Sequence, residues 1–276
     1  MTLLRLLLPA LLLIFNAAGG GTDPLNDSTR HQEWVTIRSQ DRALKGFLVT
    51  PEVDHPVAAV ILIHGNRGLT DWLRTVADRL AAEGYLALAP DLLSGRASDG
   101  GGTSDFQSTD AARNAIYDLD SEGVTADLNA AADFLARQPV ANGVVMVTGF
   151  SWGGSQSFRF ATKRPELAAA FVFYGRAPGD DFESIECPVY GFYGGDDTRI
   201  NATIPLTGEI MLALDKVFEP LTYHQAGHSF MRKGEHPDAS DGNRIAMNAS
   251  WDRWLAILAE HAEPEDLENL SGARRP

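Results

Sequence analysis

Apolar and polar residues alternate through WVTIRS (34–39) and again through ALKGFLVTP (43–51). A period of two predicts two strands, joined by a hairpin at QDR. The run VAAVILIH (57–64) abandons alternation for continuous β-branched and apolar residues, the pattern of a central strand buried on both faces. Further along, helical and strand patterns take turns. TDWLRTVADRLAAEGY predicts an amphipathic helix, YLALAPD a strand, residues from about 121 to 137 a helix, VVMVTGF a strand, and SQSFRFATKR a helix. AAAFVFYG and CPVYGFYG predict strands, TIPLTGEIMLALDK a helix, LTYHQAGH a strand, and NRIAMNASWDRWLAILAEHA a closing helix. Strands alternating with helices predict an α/β fold, a mainly parallel central sheet with helices on both faces. Ligands then belong at the carboxyl ends of the strands.

Between these elements, SGRASDGGGTSDFQSTD (94–110) carries no apolar period and is rich in Gly, Ser and Asp. It predicts a long surface loop that walls or covers the site. Length and patterning fit one domain over 33–262, with a flexible lead-in at 20–32 and a charged, flexible tail at 263–276. The first residues, MTLLRLLLPALLLIFNAAGGG, have the layout of a secretory signal over 1–19, with cleavage around Ala17, Ala18 or Gly19. Their apolar run is shorter than the roughly 20 residues that span a bilayer and is broken by Pro9. The expectation is therefore a periplasmic or secreted protein with no stable membrane insertion once the signal is gone. Cys187 is the only cysteine, so no internal disulfide can form. A formal charge of -14 argues against a nucleic-acid partner, which requires a basic surface.

Chemistry concentrates at GFSWG (149–153), which fits G-x-S-x-G at the end of a predicted strand and the start of a predicted helix. In a nucleophile elbow the serine occupies a sharp, strained turn, and flanking glycines let neighbouring backbone approach. Ser151 is the candidate nucleophile. Its hydroxyl needs a base, and the base needs an acid to hold its tautomer. YGGDDTRIN offers Asp196 and Asp197, which spacing alone does not separate. HQAGHSF offers His224 and His228; His228 follows Ala-Gly, where the backbone can turn and present the ring at the rim of the sheet. His64, ending its strand, is compatible with a structural role rather than a second base. Two backbone N–H groups must hold the oxyanion, those of Trp152 and, in HGNRG, Asn66. This chemistry requires no metal and no cofactor.

The ordered series VILIHGNRGL, GYLALAPDLL, GFSWGG, FVFYGR, YGGDDTRIN, AGHSF and WDRW resembles the dienelactone hydrolase family of α/β-hydrolases over roughly residues 33–262. The resemblance implies the α/β-hydrolase fold and selects Asp197 as the acid through the G-x-x-D pattern from Gly194. It also supports His228 and the Asn66 and Trp152 amides. Many members carry Cys where this chain has Ser151, and Glu where it has Gly65, a glutamate thought to control the resting thiol. Arg232 matches a family position that binds a substrate carboxylate, and Arg96 matches a second with a one-residue shift. Trp152, Trp72 and Phe230 are candidates for an apolar lining.

The expected activity is hydrolysis of a small carboxylic ester or lactone, with anionic substrates favoured if the arginines bind. An acyl transferase or thioesterase using the same three residues is the alternative within enzymes. A ligand-binding protein that kept the fold without the activity is the alternative outside them.

Overall fold

The computed structural model describes residues 25–264. The signal expected at 1–19 and nearly all of the tail expected at 263–276 lie outside the described residues. Strands β1 (His31–Ser39) and β2 (Arg42–Thr50) form the predicted hairpin, with Ser39 paired to Arg42 across a two-residue turn. Gln40 enters that turn with φ of 51°. β2 pairs antiparallel with β4 (Leu86–Asp91). From β4 onward β3 (Val57–Ile63), β5 (Ala141–Phe150), β6 (Ala170–Phe173), β7 (Val189–Gly194) and β8 (Phe218–Tyr223) run parallel. The eight-stranded order is β1-β2-β4-β3-β5-β6-β7-β8.

The unbroken apolar run of β3 has its cause in this layering. Ala58, Val60 and Leu62 enter one core, while Val57, Ala59, Ile61 and Ile63 enter another on the opposite face. The first core is closed by α1 (Asp71–Ala82) through Leu73, Val76, Ala77 and Leu80, and by α8 (Asp241–Glu260) through Trp254, Ile257 and Leu258. The second is closed by α3 (Ser121–Ala136), α4 (Trp152–Ala161) and α6 (Ile204–Ala213). Each contributes residues at helical spacing, Val124, Leu128 and Leu135 from α3 among them. Full burial of each such side chain is worth about 1.5–3 kcal/mol. Among the described residues no helix is long and apolar enough to cross a membrane.

Three predicted elements shift. The strand expected over LTYHQAGH begins at Phe218 and ends at Tyr223, because the Tyr223 carbonyl accepts the Gly195 N–H at 2.7 Å and Gln225 turns the chain at φ 56°. His224 therefore lies in an exposed turn rather than in the strand. The expected 94–110 loop gives way to a short helix, α2 (Thr109–Tyr117), capped by the Ser108 hydroxyl accepting the Ala111 N–H. Only Ala112 and Ile116 of α2 are buried, too few for a legible apolar period. The end of the lead-in is tied down, since Ser28, Arg30 and Gln32 all hydrogen-bond the Asp78 carboxylate on α1. Burial alone raises the Asp78 pKa, but these three donors outweigh it and hold the carboxyl below its ordinary range.

Candidate active site

β5 delivers Ser151 at its carboxyl end and α4 begins at the next residue. Ser151 has φ 60° and ψ -113°, a conformation that L side chains rarely adopt and that the surroundings must enforce. They do so through backbone packing. The Ser151 N–H donates to the Phe173 carbonyl of β6 at 2.9 Å, and the Ser151 carbonyl accepts the Ser155 N–H at 3.1 Å. A Cβ at Gly149 would stand 1.9 Å from the Gly153 carbonyl oxygen, and one at Gly153 would stand 2.3 Å from that of Ile63. Both glycines are thus dictated by the closeness of strand, turn and helix.

The acid and base arrive on two neighbouring turns. After β7 the chain bends so that Asn201, at the end of the one-turn α5 (Thr198–Asn201), donates to the Gly194 carbonyl at 2.8 Å. This leaves Asp197 buried and Asp196 exposed. After β8 the Gly227 N–H donates to the Asn243 side chain of α8 at 2.9 Å, fixing the turn that carries His228. His228 Nδ1 lies 2.5 Å from Asp197 Oδ2, and His228 Nε2 lies 2.8 Å from Ser151 Oγ. With Nδ1–H donating to the carboxylate, Nε2 is left to accept the serine proton.

Tyr174 supports this imidazole and was not anticipated. It follows β6 with φ 43°, is fully buried, and meets the His228 ring edge-to-face at 5.1 Å. Burial pushes its phenol far above the ordinary range, so it stays protonated. The FVFYG stretch held the only signal, an aromatic after a strand end.

His64 has a different part. Its Nδ1 lies 2.9 Å from the Gly65 carbonyl and its Nε2 accepts the Leu92 N–H at 3.2 Å, while the ring stacks on Trp152. Burial holds this imidazole below its ordinary pKa, so it is a neutral structural link between β3 and the loop after β4.

A cleft of about 880 Å³ opens over Ser151 and His228. Asn66, Trp72, Thr103, Phe106, Tyr174 and Arg232 are among its walls. Asn66 is half-buried, and its side-chain amide donates to the Tyr117 hydroxyl at 3.2 Å. Trp152 is the first residue of α4, where a backbone N–H has no acceptor within the helix. A Cβ at Gly65 would lie 3.8 Å from the Ser151 Cβ and 3.3 Å from the Phe150 carbonyl, so any side chain there would lean over the serine.

Of the expected aromatic lining only Trp72 reaches the cleft. Phe230, on α7 (Phe230–Gly234), is wholly buried against Tyr174 and Tyr223, and the Trp152 ring packs among core residues. Arg232 is exposed at the cleft wall, without an ion pair among the described residues. Arg96 is not brought to the cleft. The chain after β4 turns toward β2, where Ser94 Oγ accepts the Lys45 N–H at 2.9 Å, and this carries Arg96 to a separate depression. Among the described residues no group of three or more His, Cys, Asp or Glu could hold a metal ion.

The parallel sheet, the strand-turn-helix at Ser151 and the two downstream turns define an α/β-hydrolase. Residues 44–262 match the profile of the dienelactone hydrolase family, and the chain belongs to that family. It is thereby a carboxylic ester hydrolase acting on small molecules. The chain is 29% identical over 245 residues to a protein named "Putative carboxymethylenebutenolidase" from Salmonella typhimurium, covering 82% of this chain and 86% of that one. It is 28% identical over 252 residues to a protein of the same name from Escherichia coli K12, covering 85% and 89%. The crystal structure of a "Putative Dienelactone Hydrolase" from Klebsiella pneumoniae superposes with a TM-score of 0.73 at 26% identity, over 84% of this chain and 99% of that one.

Proposed function

We propose that the protein is a serine hydrolase that cleaves a small carboxylic ester or lactone through an acyl-enzyme. The observation that carries this reading is the continuous hydrogen-bond chain from Ser151 Oγ through His228 to Asp197. Ser151 Oγ attacks the carbonyl carbon as His228 Nε2 takes its proton, and Asp197 keeps the Nδ1–H tautomer and stabilises the imidazolium. The Asn66 and Trp152 N–H groups hold the oxyanion. As the tetrahedral species collapses, the C–O bond to the alcohol breaks and His228 returns the proton to the leaving oxygen. Water, deprotonated by His228, then frees the acid and restores Ser151. With a lactone, acid and alcohol leave as one molecule.

Two further observations favour serine chemistry. The only cysteine, Cys187, is buried, and burial pushes its thiol up to about 12, so it supplies no thiolate. Gly65 leaves the space beside Ser151 free of the glutamate that accompanies a resting thiol. Arg232, exposed on the cleft wall, supports a substrate that carries a carboxylate, which its planar fork would hold through two parallel hydrogen bonds. The carboxymethylenebutenolidase names of the relatives point the same way, toward an anionic lactone. Residues 1–19 export the chain to the periplasm or beyond; amino-terminal sequencing of the protein recovered from that compartment tests this.

The direct test is a fluorophosphonate probe with peptide mapping, alongside hydrolysis of p-nitrophenyl acetate. Labelling of Ser151, and its loss together with turnover in Ser151→Ala, is expected. No label on Ser151 and no turnover in the wild type would reject the mechanism.

A further inference from the structure

The segment after β4 has two sides. Thr103 and Ser104 face the Ser151 cleft, whereas Gly102 and Asp105 line a second depression of about 560 Å³. Three cations, Arg42, Lys45 and Arg96, also line that depression. In a chain of net charge -14, like positive charges brought together repel one another unless anions offset them.

The nearby carboxylates are largely engaged elsewhere. Asp127 is buried beneath Arg42 and accepts its Nη1–H at 2.5 Å. Asp105 Oδ2 accepts the Gly102 N–H at 2.7 Å, and Asp99 Oδ1 accepts the Gly101 N–H at 3.0 Å. Lys45 Nζ reaches only a hydroxyl, Thr36 Oγ1 at 2.6 Å. The Arg96 guanidinium makes no hydrogen bond or ion pair among the described residues. The Asp127 carboxylate acts on Arg96 through space, but among the described residues neither Arg96 nor Lys45 has a carboxylate hydrogen-bonded to it.

The wall around them is built rather than loose. The Ser94 carbonyl accepts the Arg42 Nη2–H at 2.5 Å, and its hydroxyl accepts the Lys45 N–H, which ties the base of the loop to β2. Gly95 and Gly100 turn with φ of 72° and 82°, where other residues would be strained. Together with Gly101 and Gly102 they leave part of that wall as bare backbone.

We propose that this depression is an anion-binding site, separate from the Ser151 cleft, that holds a compact oxyanion of the phosphate class between the Lys45 ammonium and the Arg96 guanidinium. Arg42, its charge offset by Asp127, braces the wall from below through the Ser94 carbonyl. Arg96 supplies a planar fork and Lys45 a mobile point charge, the two modes by which proteins grip such groups. The group is either a free ion or the end of a larger molecule. The inference does not depend on the hydrolytic mechanism, and its test needs no turnover.

Inorganic phosphate is titrated into the full chain by calorimetry, and Tm is followed in parallel, at constant ionic strength set with potassium chloride. Saturable binding and a raised Tm are expected for the wild type and for Arg232→Gln, which alters only the other cleft. Arg96→Gln and Lys45→Met, each judged only if its Tm without phosphate matches the wild type, should weaken binding about tenfold or more. Equal binding of phenyl phosphate identifies the end of a larger molecule as the occupant; binding of inorganic phosphate alone identifies a free ion. Absence of saturable binding in the wild type overturns the proposal, as does binding unchanged in a folded Arg96→Gln or Lys45→Met protein, or binding lost in Arg232→Gln.

Discussion

The Asp196 N–H donates to the Ala226 carbonyl at 2.9 Å, so the turn that carries the acid and the turn that carries the base are one unit. Adjacent aspartates thereby acquire opposite environments: Asp196 hands over its backbone and leaves its side chain in solvent, while Asp197 is buried against His228. Asp197→Asn is expected to lower kcat roughly 10³-fold or more, through loss of the productive tautomer. Asp196→Asn should change it less than about twofold. Steady-state hydrolysis of p-nitrophenyl acetate by both variants measures the contrast; equal losses would assign the acid wrongly.

Gly65 leaves the space over the serine empty. Gly65→Glu places a carboxylate beside the carbon under attack, where negative charge develops in the transition state, and should reduce kcat about tenfold or more. Gly65→Ala, with the same backbone and no charge, should lose little. Comparing the two by kcat/KM separates charge from crowding, and an equal loss in both would point to crowding.

Tyr117 holds Asn66 by the side chain, and in the proposed mechanism the Asn66 backbone N–H holds the oxyanion. Tyr117→Phe removes one hydrogen bond of about 0.5–1.5 kcal/mol. If that bond positions the loop, kcat falls between about twofold and tenfold while KM is retained. A change confined to KM would instead make Tyr117 a substrate contact.

The glycines differ in what surrounds them. Gly153→Ala drives a Cβ to 2.3 Å from the Ile63 carbonyl oxygen and should cost more than about 3 kcal/mol or prevent folding. Gly208, inside α6, has open space where a Cβ would go. Gly208→Ala should stabilise by about 0.5–1 kcal/mol. Urea unfolding of both variants tests the pair.

His64 gives stability a pH dependence of definite sign. Its folded pKa is lowered by burial, so as pH falls through about 6.5 the unfolded chain takes up the proton first and the folded state loses stability. That contribution is present above this value and disappears as pH descends toward the depressed folded value. The difference in unfolding free energy between the wild type and His64→Gln should shrink from pH 7.5 to pH 5, by up to about 1.4 kcal/mol per pH unit. A difference independent of pH would mean that His64 titrates alike in both states.

Periodicity revealed the sheet and its central strand, because burial on two faces leaves marks in residue type. The motif pointed to the turn at Ser151, while the choice of Asp197 over Asp196 came from the family resemblance and not from spacing. Tertiary relationships left fewer. α2 buries two residues, so no period announces it. Arg96 has the residue type of a substrate anchor, but the hydrogen bonds of Ser94 carry it away from the cleft. Phe230 and Trp152 have the apolar character expected of a lining, yet both pack inward. Tyr174 acts through a ring contact that no spacing encodes.

At the far side of the cleft, Asp91 accepts the Leu93 N–H with one oxygen, the Thr103 N–H with the other, and the Thr103 hydroxyl as well. Thr103 Oγ1 in turn accepts the Leu69 N–H from the opposite wall. One buried carboxylate therefore anchors the Thr103 wall of the cleft, and withdrawing that wall would leave one of its oxygens without a hydrogen-bond partner in the interior. Substitutions at Asp91 would loosen the Thr103 wall of the cleft while leaving Ser151, His228 and Asp197 untouched.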